Sequence, residues 1–177
     1  MQKKNSVFPN LKSLTLAAMM TAVSVVIGIF CKNFLNFGAG LFRITFENIP
    51  IILSGILFGP AVGGLVGAAS DLVSYLLSNQ VYPPNLIVTL GAALVGAVSG
   101  VISHCVIKHE GRGRIILSAA AAHLVGSMIV KPIGLYQFYG ILVLWRIPLY
   151  LVIAPIEILI LCWLFRRGFF LRLIERR

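Results

Sequence analysis

Residues 41–77 read LFRITFENIPIILSGILFGPAVGGLVGAASDLVSYLL, and this stretch decides the fold class. It is apolar almost throughout, and its only acids are Glu47 and Asp71. Gly59-Pro60 divides it, because proline removes a backbone donor and clashes with the preceding helical turn. Each half approaches the roughly 20 helical residues that cross the hydrocarbon core of a bilayer. The stretch therefore predicts two consecutive membrane helices.

The rest of the chain has a similar composition. Of its 177 residues, 59% are hydrophobic and 11% are charged, whereas a soluble domain carries roughly 25% charged residues. Lipid accepts apolar side chains on the outside of a protein, provided that helices satisfy the backbone polar groups. We therefore predict an all-α integral membrane protein, a single domain over residues 1–177 that lies in the cell membrane in contact with lipid.

Hydropathy predicts a bundle of six transmembrane helices. Their predicted bounds are 13–31, 44–59, 61–78, 86–107, 114–132 and 147–166. The first helix follows several lysines and imitates a secretory signal, but no small-x-small cleavage site follows it. We expect this helix to be retained.

The basic residues predict the orientation of the bundle. With an even number of spans both termini share one side, and that side collects eleven lysines and arginines against four on the other. Because cytoplasmic loops are enriched in lysine and arginine, we predict that both termini are cytoplasmic. The net charge of +10 does not indicate nucleic acid as a partner, since the bases cluster at the chain ends and in one loop.

Two predicted external loops, 32–43 and 133–146, are long and rich in aromatic residues and glycine. Long apolar loops outside the spans often serve as lids or line a cavity. The alternative is an aromatic belt at the membrane interface.

Small residues recur at every fourth position on several predicted helices. The positions are Gly55, Gly59, Gly63 and Gly67, then Gly96 and Gly100, and in the first helix Ala18 and Ala22. Such strips allow two helices to approach closely. We interpret the glycine strips as internal packing.

Three of the five acids, Glu47, Asp71 and Glu157, fall within predicted spans. A charge there costs at least about 2.5–3.5 kcal/mol, so these side chains should face the bundle interior. Arg43 lies four residues before Glu47, and the two would share a helix face, which predicts either a structural ion pair or a ligand site.

Cations accompany aromatic residues at the predicted outer helix ends. Arg43, Lys131 and Arg146 lie there, close in sequence to aromatic residues that include Phe46, Tyr136, Tyr139 and Trp145. Rings can stack on a flat ligand while cationic groups hold its carboxylates. This pattern favours a flat, anionic organic ligand, and snorkelling of the cations to lipid headgroups is the competing interpretation.

The sequence contains no recognised catalytic or metal motif. GxxxxGK[ST], HExxH, GxSxG and CxxC are all absent, so the chain has no P-loop with which to hydrolyse ATP. Cys31, Cys105 and Cys162 indicate neither a disulfide framework nor a metal site. His123 lies at mid-span, where a satisfied core histidine is favoured over a cavity residue. We predict a binding protein that is not an enzyme and has no cofactor.

The stretch 41–77 resembles the substrate-binding (S) components of energy-coupling factor (ECF) vitamin transporters, most closely the folate-specific ones. The residues that carry the resemblance are Arg43, Phe46, Pro50, Gly59-Pro60 and Ser70-Asp71. Tyr82-Pro83-Pro84-Asn85 and Gly91 continue it, and Ala18-x-x-x-Ala22 matches the family's docking strip.

The resemblance implies a subunit that binds folate from outside. It would deliver the vitamin inward together with a membrane coupling subunit (T component) and two cytoplasmic ATPases. Ala18 and Ala22 would then contact the coupling subunit.

Folate suits the residue types described above. A buried carboxylate can accept from the adjacent N–H and amino groups of a pterin, and we predict Asp71, Glu47 or Glu157 for this role. Tyr75, Tyr82, Tyr136 and Trp145 are the predicted stacking surfaces. Arg43, Lys131 and Arg146 would hold the glutamate tail.

Three alternatives remain open at this point. The proline-rich segment 82–85 departs from the glycine- and phenylalanine-containing version common in the folate group, so the cargo could be another small vitamin. A small membrane enzyme that uses Asp71 and His123 is a second alternative. A structural membrane subunit without a ligand is the third.

Overall fold

The computed structural model describes residues 11–37, 42–78, 85–107 and 111–166. Its regular elements, in chain order, are α1 (Leu11–Phe34), β1 (Asn36–Phe37), β2 (Phe42–Arg43), α2 (Asn48–Phe58), α3 (Pro60–Leu77), α4 (Leu86–Val101), α5 (Arg112–Ala122), α6 (Lys131–Tyr139) and α7 (Arg146–Arg166). π-Helical turns at Ile102–Val106 and His123–Val130 and a 3-10 helix at Gly140–Trp145 connect or extend these helices. Tyr82 lies outside the described residues, and of Arg43 only the backbone is described.

The second helix begins four residues later than predicted. Residues 42–43 pair as an antiparallel strand with residues 36–37, with Asn36 opposite Arg43. Residues 44–46 are irregular, and Glu47 forms the turn from which α2 starts. The expectation that Arg43 and Glu47 share a helix face is therefore wrong, because the spacing of four residues brings side chains together only within a helix.

Glycine and proline separate α2 from α3 as predicted. Gly59 has φ of 94°, a value that glycine adopts without steric penalty. Pro60 then occupies the first turn of α3, where its missing N–H removes no helical hydrogen bond. Asn85 caps α4, since its side chain accepts from the Ile87 amide at 2.9 Å.

Five apolar helical segments, rather than the six predicted, make up the described part of the chain. Four are long enough to cross a membrane, and α2 is shorter. The predicted helices 114–132 and 147–166 belong to one helical run, Arg112–Arg166, and the predicted loop 133–146 is helical. Residues 133–146 were predicted to form a long external loop, but their apolar residues continue the helix.

This run reverses direction at Gly140, whose φ is 56°. As a consequence α5 and α7, at its two ends, pack against each other. The segment just before the reversal also departs from regular α-helix: His123–Val130 is π-helical and leads into Pro132, which lacks an amide donor.

The core of the bundle forms around α4, which packs against α2, α3, α5 and α6. The glycine strips lie in this core. A Cβ added at Gly63 or Gly67 would collide with the backbone of α4, and one added at Gly96 would collide with Gly63. The prediction that the glycines serve internal packing is confirmed for these positions, because backbones this close leave no room for a side chain.

The surface of the described helices is strongly apolar. Large hydrophobic side chains are exposed on α1, α3, α4 and α7, among them Val26 at 66% and Leu159 at 69%. Ala18 and Ala22 are also exposed, so the strip that they form faces away from the bundle. An apolar exterior around a packed helical core is typical of a membrane protein.

Candidate functional site

A buried polar cluster joins Glu47, Asn48 and Lys131. The Lys131 ammonium donates to Asn48 Oδ1 at 3.2 Å, and its Nζ lies 3.6 Å from Glu47 Oε1. The side chain of Lys131 is 6% exposed and that of Glu47 is 13% exposed, while Asn48 is fully buried. We call these three residues the Glu47–Asn48–Lys131 cluster. It places a cation, an anion and an amide side by side among apolar helices.

Local structure explains why the three residues meet. Glu47 is the turn residue before α2, Asn48 is the first residue of α2, and Lys131 is the first residue of α6. The hydroxyl of Ser24 on α1 donates to the backbone carbonyl of Glu47 at 2.8 Å, which ties the turn to α1.

Two glycines leave space for the cluster. A Cβ at Gly28 would lie 2.7 Å from Glu47 Oε2, and a Cβ at Gly91 would lie 2.8 Å from Lys131 Cγ. Because real Cβ atoms do not approach this closely, a larger residue at either position would displace a charged side chain. The site thus depends on α1 and α4 as well as on the residues that carry charge.

The second acid, Asp71, has a partner of its own. Thr89 on α4 donates its hydroxyl to Asp71 Oδ2 at 2.7 Å. Tyr75 lies one helical turn after Asp71 on α3 and is half-buried. A half-buried carboxylate with a hydroxyl donor satisfies the prediction that Asp71 avoids lipid.

The third acid, Glu157, pairs with His123. Glu157 Oε2 lies 2.7 Å from His123 Nε2, and the two side chains are 0% and 1% exposed. The atoms are at hydrogen-bond distance but outside hydrogen-bond geometry, so we describe the contact as electrostatic. The interpretation of His123 as a core histidine is confirmed by its burial and by this partner. Glu157 is also within electrostatic reach of Lys131 and Glu47.

The aromatic residues of the reversal segment lie near the surface. The Arg146 guanidinium stands over the Tyr139 ring at 5.5 Å from its centroid, a cation–π contact. Tyr136 is 57% exposed and Trp145 is 62% exposed. Arg146 and an aromatic ring therefore meet as expected, although the ring belongs to Tyr139 and not to Trp145. Phe46 is half-buried beside the cluster residue Glu47.

Sequence reasoning found Glu47 and Lys131 but missed Asn48 as a polar member of their cluster. Its signal was available, because an asparagine directly after a membrane-embedded glutamate is a second polar group at the same depth.

Within the described residues no group of three or more histidine, cysteine, aspartate or glutamate side chains could hold a metal ion.

Comparison with known proteins relates the chain to one transporter family. A family model for the substrate-specific component of ECF transporters matches residues 12–170. The folate transporter FolT of Clostridium novyi is 28% identical over 120 residues, which is 67% of each chain. An uncharacterized protein of Mycoplasma pneumoniae, the MG098 homolog, is 32% identical over 114 residues, which is 59% of this chain and 23% of that longer protein.

Solved structures share the fold. The crystal structure of FolT bound with folic acid matches with a TM-score of 0.69 and 28% identity, over 88% of this chain and 93% of that chain. The S component of a bacterial ECF transporter matches with a TM-score of 0.62 and 22% identity, over 88% and 94% of the two chains. Since the family model covers residues 12–170 of the 177, this membrane protein belongs to the substrate-specific (S) components of ECF transporters.

Proposed function

We propose that this chain is the folate-binding subunit of an ECF importer. The observation that carries the proposal is the match to FolT bound with folic acid, which has a TM-score of 0.69 at 28% identity and extends over 93% of that chain. The folate transporter of Clostridium novyi supports the same cargo. Membership of the family makes the chain a transport component, so its role is binding.

The Glu47–Asn48–Lys131 cluster is the proposed centre of the binding site. Of the three predicted acids, Asp71 accepts from Thr89 and Glu157 pairs with His123. Glu47 lies 3.6 Å from the Lys131 ammonium and keeps 13% exposure, more than Lys131 or Asn48. We therefore assign the pterin N–H and amino groups to the Glu47 carboxylate, which can accept from both.

The remaining proposed ligand contacts are assigned by the chemical type of each side chain. The glutamate tail of folate carries two carboxylates, for which Arg43, Lys131 and Arg146 are the proposed cationic hosts. The proposed stacking surfaces are Phe46, Tyr75, Tyr82, Tyr136 and Trp145. The exposure of Tyr136 and Trp145 is compatible with rings that close over a ligand as it enters.

The orientation and partners of the subunit complete the proposal. Both termini are cytoplasmic, which places the eleven inner lysines and arginines where such residues are enriched. The run Arg112–Arg166 crosses the membrane and returns at Gly140, since its 55 residues far exceed the roughly 20 that one crossing needs. The subunit works with a membrane coupling subunit and with two cytoplasmic ATPases, which supply the energy. Ala18 and Ala22, which are exposed on α1, contact the coupling subunit.

Ligand binding by the purified protein tests the proposal. Folic acid should quench the fluorescence of Trp145 and Trp163 and raise the melting temperature of the protein in detergent. Uptake of labelled folate into vesicles should require the coupling subunit and the ATPases as well. A panel of other vitamins in the same thermal assay serves as the control, and stabilisation by a different vitamin but not by folic acid would transfer the proposal to that cargo.

The enzyme alternative requires Asp71 and His123 to act as a pair. In the structure their side chains have separate partners, Thr89 and Glu157. This arrangement favours a binding subunit over a catalytic one.

A further inference from the structure

The orientation of the Asn48 amide is determined by its neighbour Lys131. An ammonium group only donates hydrogen bonds, so the amide atom 3.2 Å from Lys131 Nζ must be the oxygen. The amide nitrogen Nδ2 therefore points away from the lysine. If the amide group were turned by 180°, Nδ2 would face the Lys131 ammonium, and two donors would oppose each other.

The Asn48 amide nitrogen has no hydrogen-bond partner among the described residues, although it is fully buried. Buried amide donors are nearly always paired, because they lose their hydrogen bonds to water on burial. An unpaired donor beside a buried carboxylate and a buried ammonium is therefore a position where a ligand acceptor would be stabilised.

The cluster offers a distinctive pattern of groups to such a ligand. The Glu47 carboxylate accepts, and the Asn48 amide nitrogen donates. A pterin presents the complementary edge, in which an amino group and a ring N–H stand next to the carbonyl oxygen at ring position 4. A ligand with an amino group at position 4 would instead bring a second donor toward Asn48 Nδ2.

We infer that Asn48 is a specificity-determining residue, which donates from Nδ2 to the 4-carbonyl oxygen of the pterin while Glu47 accepts from the adjacent N–H and amino group. This inference rests on the proposed function and adds to it the atom that reads the substituent at ring position 4. Asn48 thereby adds to the discrimination between 4-oxo and 4-amino pteridines that Glu47 provides through the ring N–H, which only the 4-oxo form carries.

The first test uses the unmodified protein and two ligands that differ in the substituent at ring position 4 and in the hydrogen on the adjacent ring nitrogen. Folic acid and its 4-amino counterpart, aminopterin, are titrated into the purified protein, and their dissociation constants are compared. Folic acid should bind at least about tenfold more tightly, because aminopterin loses the hydrogen bond from the ring N–H to Glu47 and brings a second donor toward Asn48 Nδ2. Equal binding of the two ligands would overturn the inference without any variant.

The second test changes the donor. Asn48→Ala should reduce the preference for folic acid by about three- to tenfold and leave the part that Glu47 contributes, because the amide donor is lost while the carboxylate remains. Asn48→Asp should shift the preference further toward aminopterin, since a carboxylate accepts from its 4-amino group. Asn85→Ala is the matched control: Asn85 bonds the Ile87 amide and the Gly134 carbonyl, so its loss should lower stability and leave the ligand preference unchanged.

The outcomes separate the inference from the proposed function. Wild-type protein that binds neither ligand contradicts the proposed function and the inference together. Wild-type protein that prefers folic acid, with the same preference in Asn48→Ala and Asn48→Asp, contradicts the role of Asn48 alone. A preference that falls by about three- to tenfold in Asn48→Ala but is unchanged in Asn85→Ala supports it.

Discussion

His123 and Glu157 form an acid–base pair that is completely buried, with 2.7 Å between Nε2 and Oε2 and side chains 1% and 0% exposed. The pair joins the π-helical turn after α5 to the middle of α7, the two arms of the helical run that reverses at Gly140. Neither residue contacts the Glu47–Asn48–Lys131 cluster by a described hydrogen bond. Under the proposed function, the cluster binds the ligand and the pair contributes stability.

The first prediction concerns this pair. His123→Ala and Glu157→Ala should each lower the free energy of unfolding by about 3–5 kcal/mol, because each leaves one buried polar partner unpaired. The double variant His123→Leu/Glu157→Leu should recover much of the loss, since apolar side chains of similar volume need no partner. Thermal unfolding in detergent measures all three. A double variant that is less stable than both single variants would refute the assignment.

The second prediction concerns the cation of the cluster. Lys131→Met should weaken folate binding by at least about 30-fold, because truncating one member of a buried charged pair removes its hydrogen bonds and leaves Glu47 without this cation. The dissociation constant from fluorescence quenching is the measurement.

Lys32→Met is the control for Lys131. Lys32 donates to Ser78 Oγ at 3.3 Å and does not belong to the cluster. Its replacement should leave affinity within about threefold, the scatter expected from an exposed or half-buried polar contact. Equal losses in the two variants would mean that the site is not centred on Lys131.

The third prediction concerns the glycine interface between α3 and α4. Gly63→Ala should destabilise the protein by about 1–3 kcal/mol, because its new Cβ would meet the backbone of Gly96 and force the helices apart. Gly64→Ala, at the next position of the same helix, should have little effect, since its Cβ would meet the nearest atom at an ordinary 3.5 Å. The melting temperatures of the two variants test this contrast, and similar values would contradict it.

The fourth prediction rests on the proposed assembly with a coupling subunit. Ala18→Trp together with Ala22→Trp should abolish folate uptake by the complete transporter while the isolated subunit still binds folate, because both alanines are exposed on α1 and far larger side chains would prevent close helix contact.

Leu159→Trp is the control for the alanine strip. Leu159, like the two alanines, is an exposed apolar residue, at 69% exposure, but it lies on α7 and not on α1. This variant should retain both uptake and binding. Loss of uptake in the control, or normal uptake in the double tryptophan variant, would argue against a docking role for the strip.

The sequence by itself determined the class of the protein, the Gly59-Pro60 division and the burial of the acids. These properties depend on composition and on short-range backbone chemistry. A chain with so few charges is suited to lipid, and glycine followed by proline ends one helix and begins the next. Even so, the predicted helix 44–59 began too early, and the loop 133–146 proved helical. Hydropathy does not report the backbone contacts that set these bounds, namely the pairing of residues 42–43 with 36–37 and the continuation of the helix through 133–146.

Only the tertiary structure decided which polar residues meet. Glu47 pairs with Lys131, 84 positions further along the chain. Glu157 pairs with His123 across the reversal at Gly140. A buried charge takes the partner that packing brings to its own depth, because in an apolar interior the distance between groups, rather than their separation along the chain, sets the interaction energy.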